Sequence, residues 1–436
     1  MLSKSQFLIL SIIVLSISII LIFLKKNNDN DNDKNKFKPK IDYDNSLTSL
    51  ASSISKYFEI NPNHKTLPYI DNLLKEKNPE NVILLVCDGL GSRILDKILN
   101  KNDFLIKNRK KEIFSVFPPT TAASLTSIKT GLNPSEHGWL GWTAYIKELY
   151  KIITLYKDCE KGKIGKDRDF QKIKYKYFYK KKTIFELINE AGKYKAYELN
   201  CYPYNVEKDI DKVFNNILNT LKIKGKKYIF SYYPEPDDIL HAYGSESEQA
   251  KIEIQKINKK VEEYSKLILE NKNTVMIIVS DHGHLISNKV DIRNKEIKQY
   301  LEKPFVFIEN RSPAFLVKKG MEEDFKKAFK KDFKNDFFLL SKEEILKYNI
   351  FGEYSKENKH ELFETSFGDF MAISKDSSNM CLIDEGDYPS HYSFHGGYSD
   401  DEIYVPLIVL SNWIKSLLFF AFVKNLEFNI YLIKKR

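Results

Sequence analysis

The chain has 436 residues, and 42% of them are hydrophobic, which is enough length and apolar content for a sizeable folded core. Lysine and arginine total 69 against 59 aspartate and glutamate, a formal net charge of +10, but the excess is spread along the chain and no nucleic-acid-binding motif accompanies it. Four scattered cysteines exclude a disulfide framework and a thiolate zinc site, and leave open a single bridge between Cys159 and Cys201.

The N-terminal part predicts a membrane anchor followed by a spacer. Residues 7–24, FLILSIIVLSISIILIFL, carry no charge and are long enough to cross a bilayer, and no small-residue cleavage pattern follows them. We therefore expect residues 1–24 to be an uncleaved anchor and the polar residues 25–42 to be a low-complexity linker. Lysines are denser after the apolar run than before it, which under the positive-inside rule favours a cytoplasmic position for the rest of the chain.

Four apolar runs rich in β-branched and aromatic residues predict buried strands. In chain order they are NVILLV at 81–86, KYIFSYY at 227–233, TVMIIVS at 274–280 and IYVPLIVL at 403–410. Helical patterns lie between them at 182–192, where Gly192 is a candidate C-cap, and at 251–270. This alternation predicts the α/β class, with a mostly parallel central sheet and helices on both faces.

Residues from about 295 to 380 have a different pattern, which reads as strand, strand, helix, strand and short helix. This pattern predicts an α+β subdomain inserted into a main domain that spans 43–410. The segment 411–436 is apolar and basic but too interrupted to cross a bilayer. The sequence leaves three interpretations of this segment open: a closing helix, a membrane-surface segment, or a stretch whose sequence has drifted.

Acidic and histidine side chains follow each of the predicted strands or precede the last one. They are Asp88 in CDGLG, Asp237 and His241 in PEPDDILHAYG, Asp281 and His282 in DHGH, and His395 in SFHGGYSDDE. Open α/β sheets bind ligands at the carboxyl ends of their strands, so these groups are expected at one rim of the sheet. Any one cluster could equally be a helix cap or a turn. Together they exceed what one tetrahedral ion needs, and predict two adjacent zinc or similar divalent ions.

The stretch FPPTTAASLTSIKTG, residues 117–131, places two threonines at the start of a predicted helix. A hydroxyl beside two divalent ions becomes a nucleophile at neutral pH, and a helix N-terminus directs N–H groups at an anion. The commoner role of threonine at this place is an N-cap. Because Thr120 and Thr121 are neighbours, one of them can cap the helix while the other attacks.

These ordered motifs, across residues 80–410, resemble the alkaline phosphatase superfamily and within it the type I phosphodiesterase/nucleotide pyrophosphatase family. The resemblance implies that the nucleophile lies ten residues before Gly131, at Thr121. It further implies two zinc ions, with another divalent metal such as Mn²⁺ as the alternative. One ion would be held by Asp88, Thr121, Asp281 and His282, and the other by Asp237, His241 and His395.

The same resemblance implies hydrolysis of phosphodiester or nucleotide pyrophosphate bonds through a phospho-threonine intermediate, with a small-molecule substrate of that type. Ser124 stands where the family has an asparagine that helps to hold a phosphoryl oxygen, so a substrate-binding role is expected for it. Residues 295–380 stand where relatives carry a cap that selects substrates. His284 and His391 are candidates for supporting the ligands, whereas His137 and Arg311 are expected to be structural.

Other readings use the same residues. A membrane-anchored phosphoethanolamine or phosphoglycerol transferase would differ from the leading interpretation in the acceptor, which is another hydroxyl instead of water. A phosphomonoesterase would differ in the ester that it hydrolyses. A membrane-tethered binding protein without chemistry is disfavoured, because all seven predicted site residues are present. Relatives of this kind work outside the cytoplasm, and we expect an extracytoplasmic catalytic domain on that ground, against the lysine count. The sequence does not indicate an oligomeric state.

Overall fold

The computed structural model describes residues 37–203, 206–270, 273–303, 306–381 and 391–411. The predicted anchor at 1–24, most of the predicted linker and nearly all of the C-terminal segment lie outside these ranges. No helix within the described ranges has the length and apolar character needed to span a membrane. The helices and strands below all belong to the compact unit that begins at Ile41.

Within the described ranges the strands form a six-stranded central sheet, a second sheet of seven strands and two short two-stranded sheets. In chain order they are β1 (Asn81–Cys87), β2 (Arg109–Phe114), β3 (Thr143–Ile146), β4 (Lys151–Thr154), β5 (Cys159–Glu160), β6 (Lys195–Leu199), β7 (Lys227–Tyr233), β8 (Thr274–Val279), β9 (Leu285–Ile286), β10 (Asn288–Asp291), β11 (Phe307–Glu309), β12 (Ser312–Phe315), β13 (Phe337–Ser341), β14 (Phe370–Ser374), β15 (Ser378–Cys381), β16 (Ser393–Phe394) and β17 (Tyr404–Ser411). The two short sheets are β10-β15 and β16-β9.

The helices are mostly short, apart from one of 23 residues. In chain order they are α1 (Leu47–Tyr57), α2 (Pro68–Lys77), α3 (Ser92–Ile98), α4 (Phe104–Asn108), α5 (Thr121–Thr130), α6 (Pro134–His137), α7 (Arg168–Ile173), α8 (Ile184–Ala191), α9 (Ile210–Leu221), α10 (Asp237–Tyr243), α11 (Glu248–Glu270), α12 (Glu322–Phe333), α13 (Lys342–Lys347), α14 (Phe363–Ser366) and α15 (Asp400–Ile403). Shorter 3₁₀ or π turns occupy Tyr43–Asn45, Lys147–Leu149, Lys174–Phe178 and Glu296–Tyr300.

The central sheet has the strand order β2-β17-β8-β1-β7-β6. Strands β8, β1, β7 and β6 pair in parallel, and every residue of β1 is buried. Alternate residues of β1 face opposite sides of the sheet. Val82, Leu84 and Val86 accordingly pack in one apolar cluster. The intervening residues, Ile83, Leu85 and Cys87, pack in the other. Both faces are therefore covered, which confirms the predicted α/β fold with a mostly parallel sheet.

The last strand of the central sheet runs against its neighbours. β17 pairs antiparallel with β8 on one side and with β2 on the other. The beginning of β17 therefore lies at the rim where the parallel strands end. The residues that precede β17 reach this rim directly, without the returning loop that a parallel strand would have required.

The second sheet is antiparallel and has the order β13-β14-β12-β11-β3-β4-β5. Its strands β11 to β14 come from the stretch for which an inserted subdomain is predicted. Strands β3 to β5, at 143–160, lie outside that stretch and join it through Ile308, which pairs with Thr143. The sheet is thus built from two separate parts of the chain.

Local sequence signals explain several element ends. Helix α8 begins at a capping box, in which the Thr183 side chain accepts from the Glu186 N–H and the Glu186 side chain accepts from the Thr183 N–H. It ends at Gly192, whose φ of 74° lies in the left-handed region, so the predicted C-cap is confirmed. Cys159 and Cys201 are not joined by a disulfide, so the bridge that the sequence left open does not form.

Candidate active site

The register of the central sheet brings the predicted acidic and histidine residues to one rim. Cys87 at the end of β1 lies beside Tyr233 at the end of β7, and Val86 lies beside Val279 at the end of β8. The next residues of each strand therefore meet at the same level. The Asp88 N–H donates to the Tyr233 carbonyl, which fixes the turn after β1 against the neighbouring strand.

Asp88 is the centre of the first group of side chains, and it is 2% exposed. Its Oδ1 lies 3.3 Å from His282 Nε2, and His282 Nε2 lies 3.5 Å from Asp281 Oδ2. The Tyr232 hydroxyl donates a hydrogen bond to Asp88 Oδ2. Thr121 Oγ1 lies 3.4 Å from the same oxygen and 3.2 Å from His282 Nε2. The four residues that the resemblance assigns to one ion are thus adjacent.

Asp237, at the start of α10, is the centre of the second group. Its Oδ1 lies 3.6 Å from the Nε2 of His241, one helical turn along, and 3.9 Å from the Nε2 of His395. His284 Nε2 makes a shorter contact with the same oxygen. The His282 and His395 rings stack with their centroids 3.7 Å apart, so the two groups form one continuous cluster.

A short antiparallel ladder places two of these histidines side by side. Leu285 of β9 pairs with Phe394 of β16, and His284 and His395 flank that pair. Glycine at position 89 leaves room for this arrangement, since a Cβ there would lie 3.1 Å from His284 Cδ2 and 3.1 Å from Asp237 Cα. The close approach of the second group and a φ of 71°, in the left-handed region, both favour glycine after Asp88.

Backbone carbonyls orient three of the imidazoles. The Nδ1 atoms of His241, His282 and His395 lie 2.8 Å from Ser393 O, 3.2 Å from Gly283 O and 3.1 Å from Pro119 O, respectively. A proton on each Nδ1 satisfies these carbonyls and leaves each Nε2 lone pair directed at the carboxylates. Histidines that bind metal ions are held in the same way.

Burial controls the protonation of the cluster. It lowers the pKa of His241 to about 3, with the nearby His391 as a further cause. It also lowers the pKa of His282, and that of His395 well below the ordinary value. Burial, followed by the Asp281 carboxylate, raises the pKa of Asp88 well above the ordinary range. Without a cation, burial therefore disfavours the charged form of Asp88 and keeps these three imidazoles neutral, the form that binds metal.

The donor set fits divalent ions. Asp88, Asp281 and His282 offer ligand atoms within 4.8 Å of one another, and so do Asp237, His282, His284 and His395. Over the ranges that the structure describes, Asp88 Oδ1 and Asp281 Oδ2 are buried without a hydrogen-bond partner. Buried carboxylate oxygens without donors are costly, and a bound cation would remove that cost.

The two threonines have different surroundings. Thr121 is the first residue of α5 and turns its hydroxyl toward the Asp88 group. Thr120 occupies the N-cap position, but its hydroxyl makes no cap hydrogen bond and instead donates to Glu309 Oε1 at 2.7 Å. Neither threonine therefore caps the helix with its side chain, and the N–H groups of the first turn of α5 have no side-chain cap.

Ser124 lies one turn further along α5 and is completely buried. Its hydroxyl lies 3.0 Å from that of Ser115, which in turn donates to the Asp281 carbonyl. The structure therefore places Ser124 behind the acidic cluster, where it supports the turn that carries Asp281. Its predicted contact with substrate stays a prediction.

A cavity of about 380 Å³ opens onto the cluster. Its wall includes Asp88, Thr121, Asp237, His241 and His395. The second sheet and nearby loops supply the opposite wall, with Trp142, Lys157, Tyr202, Ile308 and Glu309 among its residues.

Two residues beside the cluster, Tyr232 and Glu309, were not predicted from the sequence. His284 was expected to support the ligands, and it contacts Asp237 Oδ1. Tyr232 lies near the carboxyl end of β7, beside Val86 of β1, and this place close to the rim was a usable signal. Glu309 gave no local signal, since its place depends on the packing of the second sheet against α5. Burial raises the pKa of this carboxyl to about 7.

The structural residues were predicted correctly. His137 is buried between Ser127 Oγ, 2.9 Å from its Nε2, and the Trp139 N–H, which donates to its Nδ1. The Arg311 guanidinium is buried in an ion pair with Glu402.

Comparison with known proteins assigns the chain to a family. A family model for type I phosphodiesterase/nucleotide pyrophosphatase matches residues 82–397. A search of curated proteins gave no match. Murine ectonucleotide pyrophosphatase/phosphodiesterase 5 has a similar structure, with a TM-score of 0.57 and 17% identity over 76% of this chain and 88% of that one. An inactive variant of the murine protein, solved in complex with AMP, gives a TM-score of 0.56 and 18% identity over 75% of this chain and 87% of that one.

A third similar structure comes from a different hydrolase. Phosphonoacetate hydrolase from Sinorhizobium meliloti 1021, in complex with phosphonoformate, has a TM-score of 0.55 and 15% identity over 76% of this chain and 90% of that one. At these identities the structures show a shared fold. The family model covers most of the chain, and the chain therefore belongs to the type I phosphodiesterase/nucleotide pyrophosphatase family, a family of hydrolases that typically depend on divalent metal ions.

Proposed function

We propose that this chain hydrolyses phosphodiester or nucleotide pyrophosphate bonds in two steps, through a phospho-threonine formed on Thr121 at a site for two zinc ions. The position of the Thr121 hydroxyl carries the proposal. Oγ1 lies on the cavity wall at the start of α5, 3.2 Å from His282 Nε2 and 3.4 Å from Asp88 Oδ2. Membership of the family supports the reaction class.

Two sets of side chains would hold the ions. The first set is Asp88, Asp281, His282 and Thr121 Oγ1. The second set is Asp237, His241 and His395. When bound, the ions would lower the pKa of an adjacent hydroxyl or water and neutralise charge on the phosphoryl oxygens. Zinc suits mixed carboxylate and imidazole ligands, and Mn²⁺ is the alternative.

The residues of the chain then have defined tasks. Thr121 Oγ1 forms a bond to phosphorus while the bond from phosphorus to the leaving oxygen breaks; the leaving oxygen keeps the bonding electron pair, and the hydroxyl proton passes to Asp88 Oδ2. Water next attacks phosphorus and releases one proton to solvent, the bond to Oγ1 breaks, and Asp88 returns its proton to Oγ1. The uncapped first turn of α5 directs N–H groups at the phosphoryl oxygens during both steps.

The cavity supports a nucleotide-like substrate. Its wall combines the exposed Lys157 with the aromatic rings of Trp142 and Tyr202, groups that suit an anion attached to a planar base. The AMP complex of the murine protein is consistent with this class of substrate. Ile308 and Glu309 come from the inserted stretch 295–380, which supports its predicted role as a substrate-selecting cap.

The test compares a phosphodiester with a phosphomonoester. We would assay the purified protein on bis-p-nitrophenyl phosphate, on a p-nitrophenyl ester of a nucleoside monophosphate and on p-nitrophenyl phosphate, with zinc and after chelation. Thr121→Ala and Thr120→Ala would be measured beside the wild type. We expect preference for the diesters, loss of activity on chelation, and loss of about 10³-fold or more in kcat for Thr121→Ala only.

Three other results of this assay would each favour a different function or mechanism. Preference for the monoester would identify a phosphomonoesterase. No turnover by a folded protein that holds two zinc ions would favour the transferase, which requires a second hydroxyl as acceptor. Full activity of Thr121→Ala would contradict the phospho-threonine.

A further inference from the structure

The Glu309 carboxylate connects the second sheet to the start of the nucleophile helix. Glu309 ends β11, and its Oε1 accepts hydrogen bonds from Thr120 Oγ1 and from the Trp142 N–H, both at 2.7 Å. Its side chain also lines the cavity beside Thr121. A residue of the inserted stretch thus reaches the residue that immediately precedes the proposed nucleophile.

The surrounding backbone is shaped around this contact. Ile308, the residue before Glu309, has a φ of 74°, an unfavourable conformation for a β-branched residue. On the other side, a Cβ at position 396 would lie 2.8 Å from Glu309 Cγ. A strained residue and a glycine therefore both accommodate the Glu309 side chain.

The contact changes what Thr120 does. Threonine at an N-cap position ordinarily accepts a hydrogen bond from an N–H of the first helical turn. Thr120 has the extended backbone of an N-cap, with φ of −143° and ψ of 147°, yet makes no such bond. Its hydroxyl is engaged by Glu309 instead, and the first turn of α5 stays uncapped.

We propose that Glu309 is a positioning residue that holds the Thr120 hydroxyl away from the first turn of α5, so that the N–H groups of this turn stay available to the substrate phosphoryl group. The inference rests on the proposed role of Thr121 and deepens it. Glu309 forms no bond to substrate in this role. Its Oε1 acts as an acceptor only, and an amide oxygen can replace it.

The Thr120 hydroxyl and a substrate phosphoryl oxygen can compete for the same N–H groups. If the Glu309 carboxylate is removed, the Thr120 side chain can rotate and cap α5, which fills the place of a phosphoryl oxygen. Loss of one donor to a developing oxyanion typically costs about 10²–10³-fold in kcat, and partial occupation by a competing hydroxyl should cost about 10-fold or more. Removing the Thr120 hydroxyl should abolish the competition.

The experiment is a set of variants in the full chain, assayed with bis-p-nitrophenyl phosphate and with inorganic phosphate as inhibitor. We expect Glu309→Ala to lose about 10-fold or more in kcat/KM and to bind phosphate more weakly, and Glu309→Gln to stay within about 3-fold of the wild type. Thr120→Val should stay within about 3-fold as well, and the double variant Glu309→Ala/Thr120→Val should recover to the level of Thr120→Val. Glu302→Ala, which removes an exposed hydrogen bond to Tyr150 elsewhere in the fold, is the control.

Recovery by the double variant, together with the Gln variant, would support the proposal. A double variant as impaired as Glu309→Ala would overturn the proposal. A Glu309→Gln variant as impaired as Glu309→Ala would overturn it as well, because it would show that the charge or the proton of the carboxyl group is needed. If Glu309→Ala does not fold, Glu309→Asp keeps the charge and shortens the side chain, and the same recovery by Thr120→Val is required. Thr121→Ala remains the separate test of the nucleophile, so failure here leaves that test unaffected.

Discussion

His360 is a buried histidine outside the active site whose two ring nitrogens are both in use. It is 4% exposed, its Nδ1 accepts from the Leu362 N–H, and its Nε2 lies 3.3 Å from the Tyr177 carbonyl. Both bonds require the neutral imidazole with its proton on Nε2. Burial lowers the pKa of His360 to about 4.

This histidine predicts a loss of stability in weak acid. The unfolded chain takes up a proton on His360 near the ordinary pKa of 6.5, whereas the folded chain does so only near 4. The contribution of His360 to the free energy of unfolding is therefore fully present well above pH 6.5. It decreases as the pH falls, by about 2 kcal/mol at pH 5. Urea unfolding of chelated wild type and His360→Gln at pH 7.5 and pH 5 measures the effect. We expect a smaller pH dependence in the variant, and equal pH dependence would contradict the assignment.

Tyr232 offers a test of how the Asp88 carboxylate is held. Its hydroxyl donates to Asp88 Oδ2, so Tyr232→Phe should weaken zinc binding about 10-fold while leaving the fold intact. Competition with a chromophoric chelator measures this affinity. Tyr228 lies on the same strand, and its buried hydroxyl has no partner within the described ranges, so Tyr228→Phe is the matched control and should bind zinc normally. Equal affinity in the two variants would show that the hydroxyl does not support the carboxylate.

At the level of elements, two turns of the active site touch each other. A Cβ at Gly91, in the turn after β1, would lie 2.5 Å from Gly283 Cα, in the turn after β8. A Cβ at Gly283 would lie 2.0 Å from the Asp401 carbonyl oxygen. Neither glycine is needed for its φ, so close approach is the reason for both.

Gly283→Ala should therefore push the turn that carries Asp281 away from the Asp401 carbonyl, and also crowd Gly91 in the turn after β1, whose Cα would lie 3.2 Å from the new Cβ. We expect a loss of about 1–3 kcal/mol in the free energy of unfolding together with reduced metal content. Gly162→Ala is the control, because its Cβ would meet no atom and only its φ of 78° is unfavourable. That variant should lose stability without losing metal. Normal metal content in Gly283→Ala would show that the turns adapt independently.

The elements that could be predicted are those whose signal is local. The apolar runs gave β1, β7, β8 and β17 within about one residue, because strands buried on both faces are continuously hydrophobic. The direction of β17 could not be read, since nothing in its composition differs between parallel and antiparallel pairing. The acidic and histidine residues were found because they adjoin strands, whereas the place of Glu309 depends on contacts between residues far apart in sequence.

At the scale of the whole molecule, one buried ion pair joins the second sheet to the segment that leads into β17. Arg311, in the turn between β11 and β12, and Glu402, in α15, are both completely buried, with Nε and Oε1 2.7 Å apart. Glu402 also accepts from the Gly397 N–H, two residues after His395.

Removing one partner would leave an uncompensated buried charge. We expect Arg311→Met to lower the free energy of unfolding by about 3–5 kcal/mol, and Arg311→Met/Glu402→Leu to lose less than the single variant. Urea midpoints of the wild type and both variants give the comparison. A double variant less stable than Arg311→Met would show that the remaining hydrogen bonds of Glu402 matter more than the ion pair.

The position of β17 has a consequence for the order in which the molecule can be made. A ribosome releases β2 and β8 long before β17, yet β17 lies between them in the finished sheet. Until Tyr404–Ser411 has emerged from the ribosome, both of these strands have an unpaired edge. His395, which precedes β17, is also among the last site residues to be synthesised. During synthesis the unfinished chain therefore exposes two unpaired strand edges, which are prone to aggregation, and its active site is incomplete. Pairing of β17 with β2 and β8 covers both edges at the end of synthesis.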